Sequence, residues 1–130
     1  MNDRRLRVLI VDDEEELVSA IGERLHLRGF STSGVTSGSA ALEYLNHKSC
    51  DVVLLDVKMP GLSGLDVLQR IKEEHPEVAV LMLTGHGSKR DAEKGMRLGA
   101  YDYLVKPVSI GVLVQLLRDA GSGQGADKKK

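Results

Sequence analysis

Arg7-Val8-Leu9-Ile10-Val11-Asp12-Asp13 is an apolar, β-branched run that stops abruptly at two aspartates. Apolar and polar residues do not alternate along it, so it predicts a strand buried on both faces, as in a parallel sheet. Four more runs predict strands at residues 30–35, 52–55, 78–83 and 101–105, the first of them weaker and rich in Ser and Thr. The chain thus repeats a short strand pattern five times.

Segments with helical spacing separate these strands. Leu17, Val18, Ile21 and Leu25 form the first apolar stripe, and Gly29 stands where a C-terminal cap belongs. Further helices are predicted from about Ser39, from Leu65 after a Gly/Pro loop at 60–64, from a capping box at Ser88 and Asp91, and from an N-cap at Ser109. Strict alternation of strands and helices predicts an α/β fold with a parallel sheet, helices on both faces and right-handed crossovers.

Length and composition narrow the class of protein. The 130 residues correspond to one domain, which we place at residues 1–120, with residues 121–130 as a flexible tail or truncated linker. The net charge is −1 for the chain and −3 for residues 1–120, which gives no reason to expect direct nucleic-acid or membrane-surface binding. A single cysteine and no apolar run longer than six residues predict a soluble, cytoplasmic protein without a membrane span.

Charged or hydroxyl side chains follow four of the predicted strands: Asp12 with Asp13, then Asp56, Thr84 and Lys106. In a parallel sheet the carboxyl ends of the strands meet at one edge, where ligands bind. Three carboxylates at one edge repel one another and favour a cation, and oxygen ligands at low count suit Mg²⁺. A lysine beside a metal-bound carboxylate is suited to phosphoryl transfer, in which an aspartate can itself be the nucleophile.

Four motifs in register resemble one protein family. They are Leu9-Ile10-Val11-Asp12-Asp13, Leu54-Leu55-Asp56-Val57-Lys58-Met59-Pro60-Gly61, Leu83-Thr84-Gly85-His86-Gly87 and Tyr103-Leu104-Val105-Lys106-Pro107. Over about residues 6–119 the chain resembles the receiver domain of two-component response regulators. The resemblance implies a flavodoxin-like, doubly wound, five-stranded parallel sheet of order 2-1-3-4-5 with five helices.

The resemblance also implies the acceptor chemistry. Asp56 matches the aspartate that takes a phosphoryl group from a phosphohistidine on a sensor histidine kinase or phosphotransfer protein. Asp13 and Asp56 would bind Mg²⁺ directly, the backbone carbonyl of Lys58 would be a third ligand, and Asp12 would act mostly through water. Mn²⁺ or Ca²⁺ would substitute for Mg²⁺.

A switch is implied as well. After transfer, Lys106 would pair with the phosphoryl oxygens, Thr84 would hydrogen-bond the phosphoryl group, and Tyr103 would turn inward. These movements would change the face of the fourth helix, fifth strand and fifth helix, which would control an output domain or effector protein. The resemblance further implies a cis Lys106–Pro107 bond, and it places Lys58 and His86 at positions that tune the phosphoryl lifetime.

The implied role is that of a signalling switch, not of an enzyme acting on a separate substrate. The Leu83–Gly87 motif resembles receivers found ahead of DNA-binding or ATPase output domains, so the expected output is transcriptional. A stand-alone receiver remains an alternative, and the family allows a phosphorylation-dependent homodimer through the fourth and fifth helices.

Other interpretations of the same residues stay open. Asp12-Asp13 taken alone fits a helix N-cap pair, Thr84 fits strand filler, and Tyr103 fits a half-buried packing residue. A haloacid-dehalogenase-type phosphatase would need a second aspartate two residues after the nucleophile, where this chain has Lys58. A degenerate receiver that only binds partners would lack an acidic residue or the lysine, and neither is missing. His26, His47, His75 and His86 are expected at the surface, and Cys50 is expected to be inert.

Overall fold

The computed structural model describes residues 5–85 and 89–122. Strands and helices alternate throughout these ranges, as predicted. The strands are β1 (Arg7–Val11), β2 (Ser31–Val35), β3 (Val52–Asp56), β4 (Ala79–Thr84) and β5 (Asp102–Val105). The helices are α1 (Glu15–Leu27), α2 (Gly38–His47), α3 (Gly64–Glu74), α4 (Lys89–Arg97) and α5 (Ile110–Gly121).

The five strands form one parallel sheet in the order β2-β1-β3-β4-β5. In the register of the sheet Val11 pairs with Leu55, Asp56 with Leu83, and Thr84 with Val105. The ends of β1, β3, β4 and β5 are therefore level at one edge. The expected flavodoxin-like order and the expected convergence of the strand ends are both confirmed.

Alternate residues of the central strands pack on opposite faces of the sheet. Leu9 and Val11 of β1 lie in the core under α2 and α3, whereas Val8 and Ile10 lie in the core under α1 and α5. Every residue of β3 is buried. Continuous burial of this kind explains why the strands carry unbroken apolar runs.

Serine side chains cap the start of three helices, and a glycine follows the end of α1. Ser37, Ser63 and Ser109 are N-caps whose side chains accept hydrogen bonds from backbone amides of the first turn. Gly29 has a left-handed φ of 93° just after α1, as its predicted role in ending that helix requires.

Several predicted boundaries are shifted by one or two residues. Helix α2 begins at Gly38, one residue before Ser39, because Ser37 caps it. Gly64 was expected in a loop but is the first residue of α3, because Ser63 accepts a hydrogen bond from the amide of Asp66. The predicted capping box at Ser88 lies outside the described residues.

At the end of the described chain, α5 includes Gly121, the first residue of the expected tail. Residues 123–130, which make up most of that tail, lie outside the part of the chain that the structure describes. Within residues 5–85 and 89–122, no helix has the length and apolar character needed to cross a bilayer.

Candidate functional site

Three carboxylates meet at the carboxyl edge of the sheet. Asp12 and Asp13 follow β1, and Asp56 is the last residue of β3, which neighbours β1. One carboxylate oxygen from each of the three lies within 4.8 Å of the others. Asp12 and Asp56 are buried, with 1% and 5% of their surface exposed, whereas Asp13 is open to solvent. The acidic cluster predicted from the sequence is therefore present, and Asp13 is its solvent-exposed member.

Lys106 provides the positive charge of the cluster. Its Nζ lies 3.2 Å from Oδ2 of Asp12 and 3.6 Å from Oδ2 of Asp56. Burial alone would lower the pKa of Lys106, but the carboxylates of Asp56 and Asp12 outweigh it and raise that pKa. The lysine stays protonated at neutral pH, and one cation still faces three carboxylates.

Burial raises the pKa of Asp56, and the nearby carboxylate of Asp12 raises it further. Lys106 and a hydrogen bond from the backbone amide of Lys58 to Oδ1 of Asp56, 3.2 Å long, act in the opposite direction. The pKa rises on balance, with burial as the largest cause, because Lys106 and this hydrogen bond do not fully offset burial and the charge of Asp12. A cation bound beside Asp56 would favour its ionised form.

Asp12 has a second role that matches part of the N-cap interpretation. Its Oδ1 accepts a hydrogen bond of 2.9 Å from the backbone amide of Glu14, and Glu14 itself has no capping side-chain bond. One oxygen of Asp12 therefore fixes the turn into α1 while the other faces Lys106. Asp12 therefore fits both interpretations: it supports the start of α1, and it is a member of the charged cluster.

Thr84 is the last residue of β4, the strand next to the one that ends in Asp56, and Tyr103 lies on β5, which pairs with β4. Thr84 is buried, and its hydroxyl donates a hydrogen bond of 3.3 Å to the backbone carbonyl of Leu104. Tyr103 is 38% exposed, which agrees with the half-buried packing residue of the alternative interpretation. The Lys106–Pro107 peptide bond is cis, as the resemblance implied.

The remaining expectations have mixed outcomes. Lys58 is exposed, and its amide is the group that contacts Asp56; His86 lies outside the described residues. His26 and His47 are exposed as expected. The expectation for His75 holds only in part: the residue is partly exposed, but its Nε2 is buried without a partner in the described part of the chain. Its backbone amide ends α3 by donating to the carbonyl of Ile71.

Two features of the site did not follow from the sequence. The ion pair between Lys106 and Asp12 joins residues 94 positions apart, and a list of charged residues does not say which pair is shorter. Gly64 packs directly against the backbone of Asp56 and Val57. A glycine beside a Gly/Pro loop signals a turn, so nothing in the pattern indicated that contact.

Comparison with known proteins agrees with this geometry. The model of the response regulator receiver domain family matches residues 8–118. The chain is 41% identical over 112 residues to the transcriptional regulatory protein CpxR of Escherichia coli K12, covering 86% of this chain and 47% of that protein. It is 40% identical to the sensory transduction protein RegX3 of Mycobacterium tuberculosis, covering 85% of this chain and 48% of that one. The chain spans about half the length of these curated relatives.

Solved structures are similar over almost the whole chain. A response regulator receiver domain protein from Clostridium thermocellum superposes with a TM-score of 0.87 at 36% identity, covering 92% of this chain and 96% of that one. The receiver domain of NtrX from Brucella abortus superposes with a TM-score of 0.84 at 33% identity, covering 88% and 98% of the two chains.

Proposed function

This chain belongs to the response regulator receiver domain family of two-component signalling, and from that premise we propose that Asp56 accepts a phosphoryl group from a phosphohistidine of a sensor histidine kinase or phosphotransfer protein. The observation that carries the proposal is the cluster of Asp12, Asp13, Asp56 and Lys106 at one edge of the sheet. It places a buried carboxylate among the charges that phosphoryl transfer requires.

The residues present fit a divalent cation. Asp13 and Asp56 would hold Mg²⁺ directly, with the backbone carbonyl of Lys58 as a third protein ligand and Asp12 acting through water. These are oxygen ligands of the kind Mg²⁺ prefers, and Lys106 leaves their negative charge in excess. Bound Mg²⁺ would neutralise charge on the phosphoryl oxygens, and Mn²⁺ or Ca²⁺ would substitute in the same oxygen site.

In the proposed transfer a carboxylate oxygen of Asp56 attacks phosphorus. A new O–P bond forms as the P–N bond to the donor histidine breaks, and the imidazole nitrogen keeps the electron pair. Lys106, which faces both Asp12 and Asp56, turns toward the phosphoryl oxygens. Water later cleaves the acyl phosphate, so the chain acts only on its own phosphorylation state and is not an enzyme for a separate substrate.

The same event changes hydrogen bonding between β4 and β5. Thr84 donates to the carbonyl of Leu104, the residue directly after Tyr103. If the Thr84 hydroxyl turns to a phosphoryl oxygen, its hydrogen bond to Leu104 is lost and Tyr103 moves inward. The phosphoryl group biases this two-state element through contacts that exist in only one state.

The exposed apolar side chains support one output face. Met96 on α4, Tyr103 and Val105 on β5, and Val112 on α5 are 38% to 50% exposed. Exposed apolar groups on adjacent elements favour a protein partner. We propose that this face contacts the output domain or effector protein, and that it forms the homodimer if one arises on phosphorylation.

The wider assignments follow from the relatives. CpxR carries the name of a transcriptional regulatory protein, and residues 1–120 of this chain are net acidic. We therefore propose a transcriptional output made by a partner or further domain, without direct DNA binding by residues 1–120 and with the residues after Gly121 as tail or linker. We also propose that the chain acts in the cytoplasm, where a transcriptional output would meet the DNA.

Beryllofluoride, a non-covalent mimic of a phosphoryl group, tests this proposal by NMR. We expect it to shift the amide resonances of Thr84, Tyr103 and Lys106 only when Mg²⁺ is present and Asp56 is intact. Asp56→Asn is the matched control, because it keeps the size of the side chain and removes the charge. Equal shifts in wild type and Asp56→Asn would contradict the assignment.

A further inference from the structure

Gly64 occupies a position where its backbone conformation does not require glycine. It is the buried first residue of α3, and only Gly29, Gly61 and Gly99 among the described glycines have a left-handed φ. Any residue could adopt this local conformation. The reason for glycine must therefore be sought in what surrounds it.

The surroundings of Gly64 are backbone on the side where a side chain would begin. A Cβ at Gly64 would lie 2.5 Å from the carbonyl oxygen of Asp56, and 2.5 Å and 2.6 Å from Cα and the carbonyl oxygen of Val57. Real Cβ atoms essentially never make contacts this short, and backbone cannot rotate aside as a side chain does. The start of α3 is therefore in close contact with the chain that carries Asp56.

Hydrogen bonds hold this segment from two sides. The amide of Gly64 donates to the carbonyl of Val57 over 3.0 Å, and the amide of Val57 donates to the carbonyl of Leu83 in β4 over the same distance. We infer that Gly64 is a positioning residue for Asp56: its missing side chain lets α3 clamp the end of β3 so that the Asp56 carboxylate faces Lys106 and Asp12. This inference rests on the proposed acceptor role of Asp56.

A methyl group at Gly64 would disrupt the close contact between the start of α3 and the end of β3. The collision is relieved only if the Asp56–Val57 backbone or the start of α3 moves by on the order of 1 Å, and displacements of that size slow well-oriented reactions by up to about 100-fold. Lys106, Asp12 and Asp13 belong to other elements and would not follow. Asp56 would lose its alignment with them.

Gly38 offers a matched control. It is the buried first residue of α2 and follows a serine N-cap, as Gly64 does, but a Cβ there would meet a side-chain atom, Cγ2 of Val67, at 2.5 Å. Val67 belongs to α3, so this collision falls on a side chain and not on the backbone of Asp56 or Val57. Gly38→Ala therefore introduces the same methyl group and a packing strain without direct contact with Asp56.

The test measures the phosphorylation rate constant at saturating acetyl phosphate and Mg²⁺, together with urea unfolding of each variant. We expect the rate constant of Gly64→Ala to fall by about 10- to 100-fold, and that of Gly38→Ala to stay within about twofold of wild type. Saturating both ligands separates alignment from binding, and the unfolding curves separate it from stability. Equal rate constants in the two variants would overturn the inference but leave the acceptor role intact. Absence of labelling in wild type would overturn both.

Amide hydrogen exchange of the wild type keeps the inference testable if Gly64→Ala does not fold. The first amide of a helix has no partner within the helix and usually exchanges fast. Because Gly64 donates to Val57, its amide should be strongly protected, in step with the amide of Val57. Exchange of the Gly64 amide at the rate of an unstructured chain would overturn the clamp.

Discussion

The Nζ of Lys106 lies closer to Asp12, at 3.2 Å, than to Asp56, at 3.6 Å. Asp12 is the more buried of the two acids and follows β1, whereas Lys106 follows β5, with β3 and β4 between those strands in the sheet. The ion pair therefore joins the ends of β1 and β5 across the carboxyl edge of the sheet. It holds the lysine beside Asp56.

Removing the lysine should destabilise the protein in the absence of divalent cations. Lys106→Met keeps most of the apolar stem but leaves the buried carboxylates of Asp12 and Asp56 uncompensated. We expect the free energy of unfolding to fall by about 2 kcal/mol, less than for a fully buried pair because the lysine is partly exposed. Urea unfolding at pH 7 measures this, and added Mg²⁺ should recover most of the loss. An unchanged unfolding curve without Mg²⁺ would contradict the charge balance described here.

Removing Asp13 should have the opposite effect on the metal-free protein. Asp13 is exposed and repels the other two carboxylates, so Asp13→Ala should raise the free energy of unfolding by about 0.5 to 1 kcal/mol. The same change should weaken Mg²⁺ binding by at least about tenfold, because a direct ligand is lost. Thermal melts with and without Mg²⁺ measure both effects. A melting temperature that drops sharply without metal would show that Asp13 supports the fold instead.

Changes at Thr84 should separate phosphorylation from the switch. Thr84→Ala removes the hydroxyl that bonds Leu104 and would later meet the phosphoryl group. We expect labelling of Asp56 to survive while the phosphorylation-dependent NMR shifts of Tyr103 shrink to a small fraction of wild type. Thr84→Ser keeps the hydroxyl and is the control that should retain them. Full-size shifts in Thr84→Ala would rule out the relay.

Cys50 predicts a loss of stability at alkaline pH. Burial raises the pKa of its thiol from 9.0 to about 11. The thiol in the unfolded chain loses its proton near pH 9 while the folded protein keeps it, so the stability contribution is complete below pH 9 and is lost as the pH rises to about 11. Over that interval the free energy of unfolding should fall by about 2 to 3 kcal/mol more in wild type than in Cys50→Ala. Parallel pH profiles in the two proteins would contradict the buried thiol.

The fold was predictable because its signals are local. The apolar runs of β1, β3 and β4 stop at Asp12, Asp56 and Thr84, and in a parallel sheet such stops share one edge. The alternation of strands and helices along the chain was therefore enough to predict that the acidic residues lie close together. The boundary errors at Gly38 and Gly64 arose because a serine cap begins the helix one residue later, even where that residue is glycine.

Contacts between distant residues were beyond the sequence pattern. Whether Lys106 lies nearer Asp12 or Asp56 depends on differences of a few tenths of an ångström set by packing. The close approach of Gly64 to Asp56 depends on how α3 lies on the sheet, and the partly buried ring of His75 depends on the turn into Val78. These features follow from three-dimensional packing, which periodicity does not encode.

Intact mass spectrometry after incubation with acetyl phosphate tests the central claim most directly. Wild type, Asp56→Asn and Asp13→Ala would each be measured with and without Mg²⁺. The account predicts a gain of one phosphoryl group in wild type that needs Mg²⁺, none in Asp56→Asn, and little in Asp13→Ala at limiting Mg²⁺. Full labelling of Asp56→Asn, or labelling of wild type that is equally fast without Mg²⁺, would contradict it.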